Sequence, residues 1–220
     1  MNDSVLFLHG TYDDEHIPFY KKLCRNVVKI AVDGGYEFFR KADVVPDMLF
    51  GDFDSIKLPR EKLPEQIEVM AYPKDKDKTD GHLALAYCLD KKSEHIDIVQ
   101  PDFGEPDQFV GNLMLLNLPR RARNRDYRPK VRIINAWYEV TLVDNAVHAI
   151  LGGVGDRVSV IPLSHRVSFS CEGTKFDAKN AIMLTGETLA MRNIVAADEA
   201  VFKISGQVLL MRQFTEARQG

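Results

Sequence analysis

Cysteine is scarce: Cys24, Cys88 and Cys171 are the three in a chain of 220 residues, and no two form a CxxC pair. A disulfide framework needs a denser, even set and a thiolate zinc site needs paired ligands, so both are excluded. Long apolar runs are missing too. No segment approaches the roughly 18 apolar residues of a transmembrane helix. The opening MNDSVLFLHG carries an acid at Asp3 and only the short run Val5–Leu8. No secretory signal is expected, and the reading is a cytoplasmic setting with no membrane partner. Nor is there a strong charge of one sign: 29 Lys and Arg against 32 Asp and Glu leave −3. Nucleic-acid-binding domains are usually strongly basic, so that class is set aside. The six histidines form no HExxH, and the serines no GxSxG elbow, which removes zinc hydrolysis and acyl transfer.

The chain does have a globular composition, 45% apolar and 28% charged, at a length that suits one large or two small cores. Up to residue 136, short apolar runs alternate with amphipathic stretches. Strands are expected at Val5–Leu8, Val27–Val32, Asp47–Phe50, Ile67–Ala71, His95–Val99 and Val131–Ala136. Helices are expected at Asp14–Asn26, Tyr36–Lys41, Thr79–Lys92 and Gln108–Asn117, with Leu83, Ala84, Tyr87 and Cys88 sharing a face. Strands separated by helices imply βαβ units and a parallel sheet. From residue 137 the pattern becomes short β-type runs punctuated by Gly, Asn and Asp: Glu139–Val143, Ala146–Leu151, Arg157–Pro162, Val167–Cys171, Glu187–Met191, Ala200–Ile204 and Val208–Met211. Such spacing predicts an antiparallel sandwich or barrel. The expected fold is α/β, with an N-terminal parallel-sheet domain over 1–136 and a C-terminal all-β domain over 137–220.

Aspartates gather at the carboxyl ends of the expected strands: Asp33 in AVDGG, Asp52 and Asp54 in FGDFDS, Asp75, Asp77 and Asp80 in KDKDKTD, then Asp102 and Asp107. Open α/β sheets bind ligands in the crevice outside those ends. Carboxylates crowded there repel one another unless a cation lies among them, and Mg²⁺ is typically held by one or two carboxylates plus substrate phosphates. A single Asp in a loop is more often a cap or a turn former. GDFDS is stronger, because two acids two residues apart can bracket one ion and Gly51 permits close backbone approach. Gly34 and Gly35 between a strand and a helix expose N–H groups suited to phosphate. This is neither GxxxxGK[ST] nor GxGxxG. Thr79 is a candidate N-cap for the helix that begins there.

In order and spacing, AVDGG, PDMLFGDFDSI and KDKTDGHLAL resemble the motifs of the thiamin pyrophosphokinase family. The resemblance runs through VSVIPL and GTKF and so covers essentially the whole chain. It implies a Rossmann-like ATP domain followed by a β-sandwich that binds the acceptor, in a homodimer. It also implies transfer of pyrophosphate from ATP to the hydroxyl of thiamin, with Mg²⁺ and ATP required. Carried over residue by residue, Asp52, Asp54 and Asp77 would hold metal. Asp33, Gly34, Gly35, Thr79, Asp107 and Gln108 would meet the nucleotide. Asp80, with Asp54, would serve catalysis, Asp80 as the proton acceptor. Arg192 and Asn193 would lie by the acceptor.

The chain departs from that pattern at three places. Glu105 stands where the family carries Arg, which reverses a charge beside phosphate and which no carboxylate can imitate. Arg192-Asn193 replaces Ser-Asn, setting a cation near a cationic thiazolium. Gly81 replaces an apolar residue, at a cost of up to ~1 kcal/mol in a helix. Two other outcomes therefore stand beside the first: pyrophosphorylation of another heterocyclic alcohol such as a pterin, or a nucleotide-binding regulator without turnover. The basic run Arg120, Arg121, Arg123, Arg125, Arg128, Lys130 and Arg132 reads as a solvated connection. Trp137 and Tyr138 read as a seal at the domain junction.

Overall fold

A computed structural model describes residues 3–51, 63–73, 75, 77–121 (of Arg121, the backbone) and 126–219. It divides into two compact units, Met1–Ala136 and Trp137–Arg218. In the first, strand β1 (Ser4–Phe7) is buried at every position. That unbroken burial marks a strand covered on both faces, as parallel sheets require. β1 pairs in parallel with β2 (Val28–Val32) on one side and β5 (His95–Val99) on the other. β3 (Met48–Gly51) and β4 (Glu68–Ala71) continue beyond β2, and β6 (Lys130–Ile134) pairs with β5. The parallel order is β6-β5-β1-β2-β3-β4.

Among the described residues, four α-helices connect these strands: α1 (Ile17–Leu23), α2 (Tyr36–Ala42), α3 (Asp80–Asp90) and α4 (Pro106–Leu115). The helix expected from Asp14 begins as a single 3-10 turn, Asp14–His16, and becomes α-helical at Ile17. Pro18 explains the start: its missing N–H and fixed φ suit a first turn. Pro106 places the start of α4 two residues before Gln108 in the same way. In α3 the buried stripe is Gly81, Ala84, Leu85 and Cys88, a strict i, i+3, i+4, i+7 set, so Leu83 and Tyr87 lie beside the stripe. Cys88 faces the core as expected, and burial pushes its thiol up to about 11. The basic run is only partly a connection. Leu118–Arg121 form a 3-10 turn, while Lys130 and Arg132 belong to β6. There Arg132 grips Asp97 of β5 with two hydrogen bonds of 2.7 and 3.0 Å.

An aromatic cluster fills one side of this unit. Phe7 stacks on Phe38 with ring centres 4.0 Å apart, and Tyr12, Tyr20 and Phe39 close around it. The Tyr12 hydroxyl donates to the Leu8 carbonyl at 2.6 Å. Gly35 is pressed against the Phe7 carbonyl so closely that a Cβ has no room, whereas a Cβ on Gly34 would meet the ring of His9.

The second unit is antiparallel. β7 (Tyr138–Asp144), β9 (Arg157–Pro162), β12 (Asn193–Ile194) and β14 (Gln207–Gln213) form one sheet of order β12-β9-β14-β7. β8 (Val147–Leu151), β10 (Arg166–Glu172), β11 (Ala178–Leu184) and β13 (Glu199–Ser205) form the other, in order β11-β10-β13-β8. Alternate residues point inward, and Val160, Phe169, Phe202 and Leu210 from the two sheets meet in one core. One expected strand is displaced. Glu187–Met191 is not a strand, and the pairing segment is Ala178–Leu184. Gly186, at φ 98, turns the chain, and Glu187 Oε2 accepts from the Leu184 N–H at 2.8 Å. A buried ion pair ties the first of these sheets. Arg212 Nε donates to Asp156 Oδ2 at 2.8 Å, and Asp156 Oδ1 accepts from the N–H and hydroxyl of Thr215, both at 2.9 Å. Burial alone would raise the Asp156 carboxyl, but Thr215 and Arg212 together outweigh it and hold it below its ordinary value.

These contacts set two expected outcomes. Gly35→Ala drives a Cβ into the Phe7 backbone and is expected to destabilise by ~1–3 kcal/mol, more than Gly34→Ala, whose obstacle is an exposed side chain that can turn. Urea midpoints of the two variants check this. Because the folded Asp156 is depressed, its contribution is complete above its unfolded value of about 4 and is lost as pH falls through the lower folded value. Asp156→Ala, which strands a buried guanidinium, should cost ~3–5 kcal/mol at neutral pH and flatten the acid limb of a stability–pH curve.

Candidate active site

The carboxyl ends of β1, β2 and β5 and the start of α3 enclose a cavity of about 860 Å³ within the first unit. Four segments line it. His9, Gly10 and Thr11 follow β1, Asp33 follows β2, Asp77 to Gly81 lead into α3, and Gln100 with Asp102 to Glu105 lead into α4. Side chains of opposite role meet here, because each parallel strand delivers its loop to the same edge.

Asp33 is held in the left-handed region at φ 47, a conformation Asp tolerates better than most residues. Its Oδ1 is buried and has no hydrogen-bond partner among the described residues. Gly51 ends β3 at φ 150, where a Cβ would lie 3.2 Å from the Asp33 Cα. Glycine is therefore required for β3 to pass this close. Thr79 caps α3, its hydroxyl accepting from the His82 N–H at 3.2 Å. The cap places Asp80 as the first helical residue and keeps it on the cavity wall beside the exposed Asp77.

Asp33, Asp77, Thr79, Asp80 and Gln108 thus come together on one cavity. Gly34 and Gly35 are buried behind it, against His9 and Phe7, and do not line it. Asp107 also lies off the lining, its Oδ1 turned to the N–H of Gln108 at 2.8 Å. Asp52 and Asp54 fall outside the described residues. Arg192 and Asn193 belong to the second unit. The Arg192 N–H donates to Ser159 Oγ at 2.9 Å. The Asn193 carboxamide donates to Thr174 Oγ1 and the Phe176 carbonyl and accepts from the Phe176 and Ile194 N–H groups. Its polar atoms are thereby engaged by the segment that follows β10 and by its neighbour Ile194.

Sequence reasoning does not single out His9, Gln100 or Phe103. All three follow the carboxyl ends of strands, so the positional rule that selects the aspartates also marks them. Glu105, the charge-reversed position, is the N-cap residue of α4 and lines the cavity, and Asp102 accepts from the Thr11 N–H at 2.7 Å. Among the described residues, no three His, Cys, Asp or Glu side chains gather closely enough to hold a metal ion by themselves. The orphan Asp33 oxygen is a hard donor of the kind Mg²⁺ takes, and Mg²⁺ bound through one or two carboxylates leaves its other positions to phosphate and water. The residues present fit such a shared ion.

The family model described as thiamin pyrophosphokinase, catalytic domain, matches residues 20–126. A curated relative, the thiamine pyrophosphokinase of Bacillus subtilis (strain 168), is 27% identical over 209 residues, spanning 93% of this chain and 91% of that protein. Among solved structures, thiamine pyrophosphokinase from Bacillus subtilis superposes with a TM-score of 0.81 at 24% identity, covering 97% of this chain and 100% of the other. Thiamin pyrophosphokinase from Geobacillus thermodenitrificans gives 0.80 at 24% identity, with all of both chains covered. That from Candida albicans gives 0.76 at 18%, covering 97% of this chain and 89% of the other. At these identities the structural likeness establishes a shared fold, mixed α/β with an additional antiparallel sheet. Family model and curated relative point the same way as the motifs, and what this chain is similar to, in sequence and in fold, is the thiamin pyrophosphokinase family.

Proposed function

We propose that this chain transfers the pyrophosphoryl group of ATP to the hydroxyl of thiamin, giving thiamin diphosphate and AMP. The observation that carries the reading is the meeting of Asp33, Asp77 and Asp80, from two of the three family motifs, on one cavity at the carboxyl ends of parallel strands. In this reading the first unit is a Rossmann-like nucleotide domain and the second unit binds the acceptor through the region of Arg192 and Asn193. A homodimer in the cytoplasm completes it. Among the described residues no helix is long and apolar enough to cross a membrane.

The reaction forms a bond from the thiamin hydroxyl oxygen to the β-phosphorus of ATP. It breaks the bond from that phosphorus to the oxygen bridging the α-phosphate, and AMP leaves with the electron pair. The Asp80 carboxylate takes the hydroxyl proton as the new bond forms. Mg²⁺, held by Asp52, Asp54 and Asp77 with the phosphates, would neutralise charge on the phosphate oxygens. Asp33, fixed by its left-handed backbone, would act on the same phosphates through the metal ion, since its carboxylate has no proton to donate to them. Thr79 supports the nucleotide site indirectly by capping the helix on which Asp80 stands. Gln108 supplies a neutral amide to the nucleotide from α4.

Glu105 favours a second reading. It lines the cavity where the family carries Arg; a carboxylate there removes a cation that would stabilise the transferred phosphates and so suits a nucleotide-binding regulator without turnover, while Arg192 in place of Ser suits another heterocyclic alcohol.

Incubation with ATP, Mg²⁺ and thiamin is expected to release AMP only when thiamin is present. AMP formed only with another alcohol supports the second enzyme, and nucleotide binding without AMP supports the regulator. Asp80→Asn should lower kcat by ~10²–10⁴ with little change in the ATP KM, the range typical of a lost general base. Asp52→Asn and Asp54→Asn should each abolish turnover while leaving the melting temperature near wild type. Full activity in both of these variants would overturn the metal assignment.

A further inference from the structure

The loop from β5 to α4 carries a group that the chemistry above does not use. Gln100 is only 4% exposed and lines the cavity together with Phe103. Its backbone is already committed: the N–H donates to the Ile134 carbonyl at 3.2 Å, and the carbonyl accepts from Asn135 Nδ2 at 3.0 Å. The carboxamide alone remains for the cavity, and its Oε1 is buried without a hydrogen-bond partner among the described residues. An unmade buried acceptor is costly and uncommon, and a ligand donor that completes it recovers that cost on binding. Phe103, three residues on, is 66% exposed at the same cavity, with its ring buttressed by Phe109 at 5.0 Å in an edge-to-face arrangement. An exposed ring so held is a ready stacking surface for a flat partner. The carboxylates of Asp102 and Glu105 on the same loop disfavour phosphate there and favour a ring that carries donors.

We propose that Gln100 and Phe103 form a ring-reading subsite that determines specificity. Phe103 stacks on an amino-substituted nitrogen heterocycle, and Gln100 Oε1 accepts a hydrogen bond from its exocyclic amino group. The inference rests on the transferase reading for its ligands, since that reaction brings two rings of this kind, the adenine of ATP and the aminopyrimidine of thiamin. A buried acceptor that meets an amino group also rejects an analogue carrying a carbonyl at the same place, because two acceptors then face each other.

The test is equilibrium binding by calorimetry, which needs no turnover. Two pairs are compared on wild type, Gln100→Leu and Phe103→Ala: ATP against ITP, and thiamin against oxythiamin, in which a carbonyl replaces the amino group. In one pair, wild type should prefer the amino compound by ~10-fold or more, and Gln100→Leu should reduce that preference to below ~3-fold. Phe103→Ala should weaken both members of the same pair by a similar factor. An effect on the first pair assigns the subsite to adenine, and an effect on the second assigns it to the acceptor ring. If Gln100→Leu does not fold, Gln100→Met, unbranched and of similar length, is read in the same way. Unchanged preferences in a folded variant, or no binding of either pair to wild type, overturn the proposal. Absence of thiamin-dependent AMP from wild type that still discriminates ATP from ITP overturns the transferase reading alone.

Discussion

The first unit depends on the burial of β1. Four residues with no exposed position must find hydrogen-bond partners on both edges and apolar cover on both faces. β2 and β5 supply the partners, and Phe38 stacked on Phe7 supplies part of the cover. The same constraint reaches into the neighbouring segments. The helix after β2 can approach β1 only because Gly35 leaves space at the Phe7 carbonyl. The loops after β1, β2 and β5 then have one direction to leave the sheet. A common edge for these loops is the reason a cavity exists there.

Charge at that edge is asymmetric. Among the described residues, Asp33, Asp77, Asp80, Asp102 and Glu105 line the cavity with one lysine, Lys78. A wall of that kind resists bare phosphate and suits phosphate that arrives with a metal ion. Positioning relies on backbone devices more than on side-chain pairs: a left-handed turn at Asp33, a glycine approach at Gly51 and an N-cap at Thr79. Such devices hold a carboxylate in place without neutralising it, which is what a site that recruits a cation requires.

The second unit solves a different problem. Its two sheets share an alternating apolar core, and the unit also buries the Arg212–Asp156 pair with each charge further hydrogen-bonded. Gly153 is pressed against both partners, so the pair is packed as tightly as the apolar positions around it. Asn193 obeys the same logic, spending its carboxamide on the loop that contains Thr174 and Phe176. The polar residues of this unit mostly secure backbone geometry.

Much of the fold is legible from local pattern. The strands of the first unit, the helix that Thr79 caps and the edge where aspartates gather all follow from periodicity and from the rule that parallel strands present their carboxyl ends together. Where two patterns compete, tertiary contacts decide. Lys179 and Asn180 interrupt the alternation of Ala178–Leu184, yet the segment pairs with β10, and the better-looking run Glu187–Met191 does not pair. Gly34 and Gly35 suggest exposed N–H groups, whereas both are buried, Gly35 against the β1 backbone at Phe7 and Gly34 against the ring of His9. Sequence by itself determined which residue types stand at the ends of strands, because alternation and turn chemistry act over a few residues. Only the tertiary structure decided which polar atoms find partners, consuming Asn193 and leaving Asp33 Oδ1 and Gln100 Oε1 open. Hydrogen-bond satisfaction depends on groups far apart in the chain, and no local pattern records it.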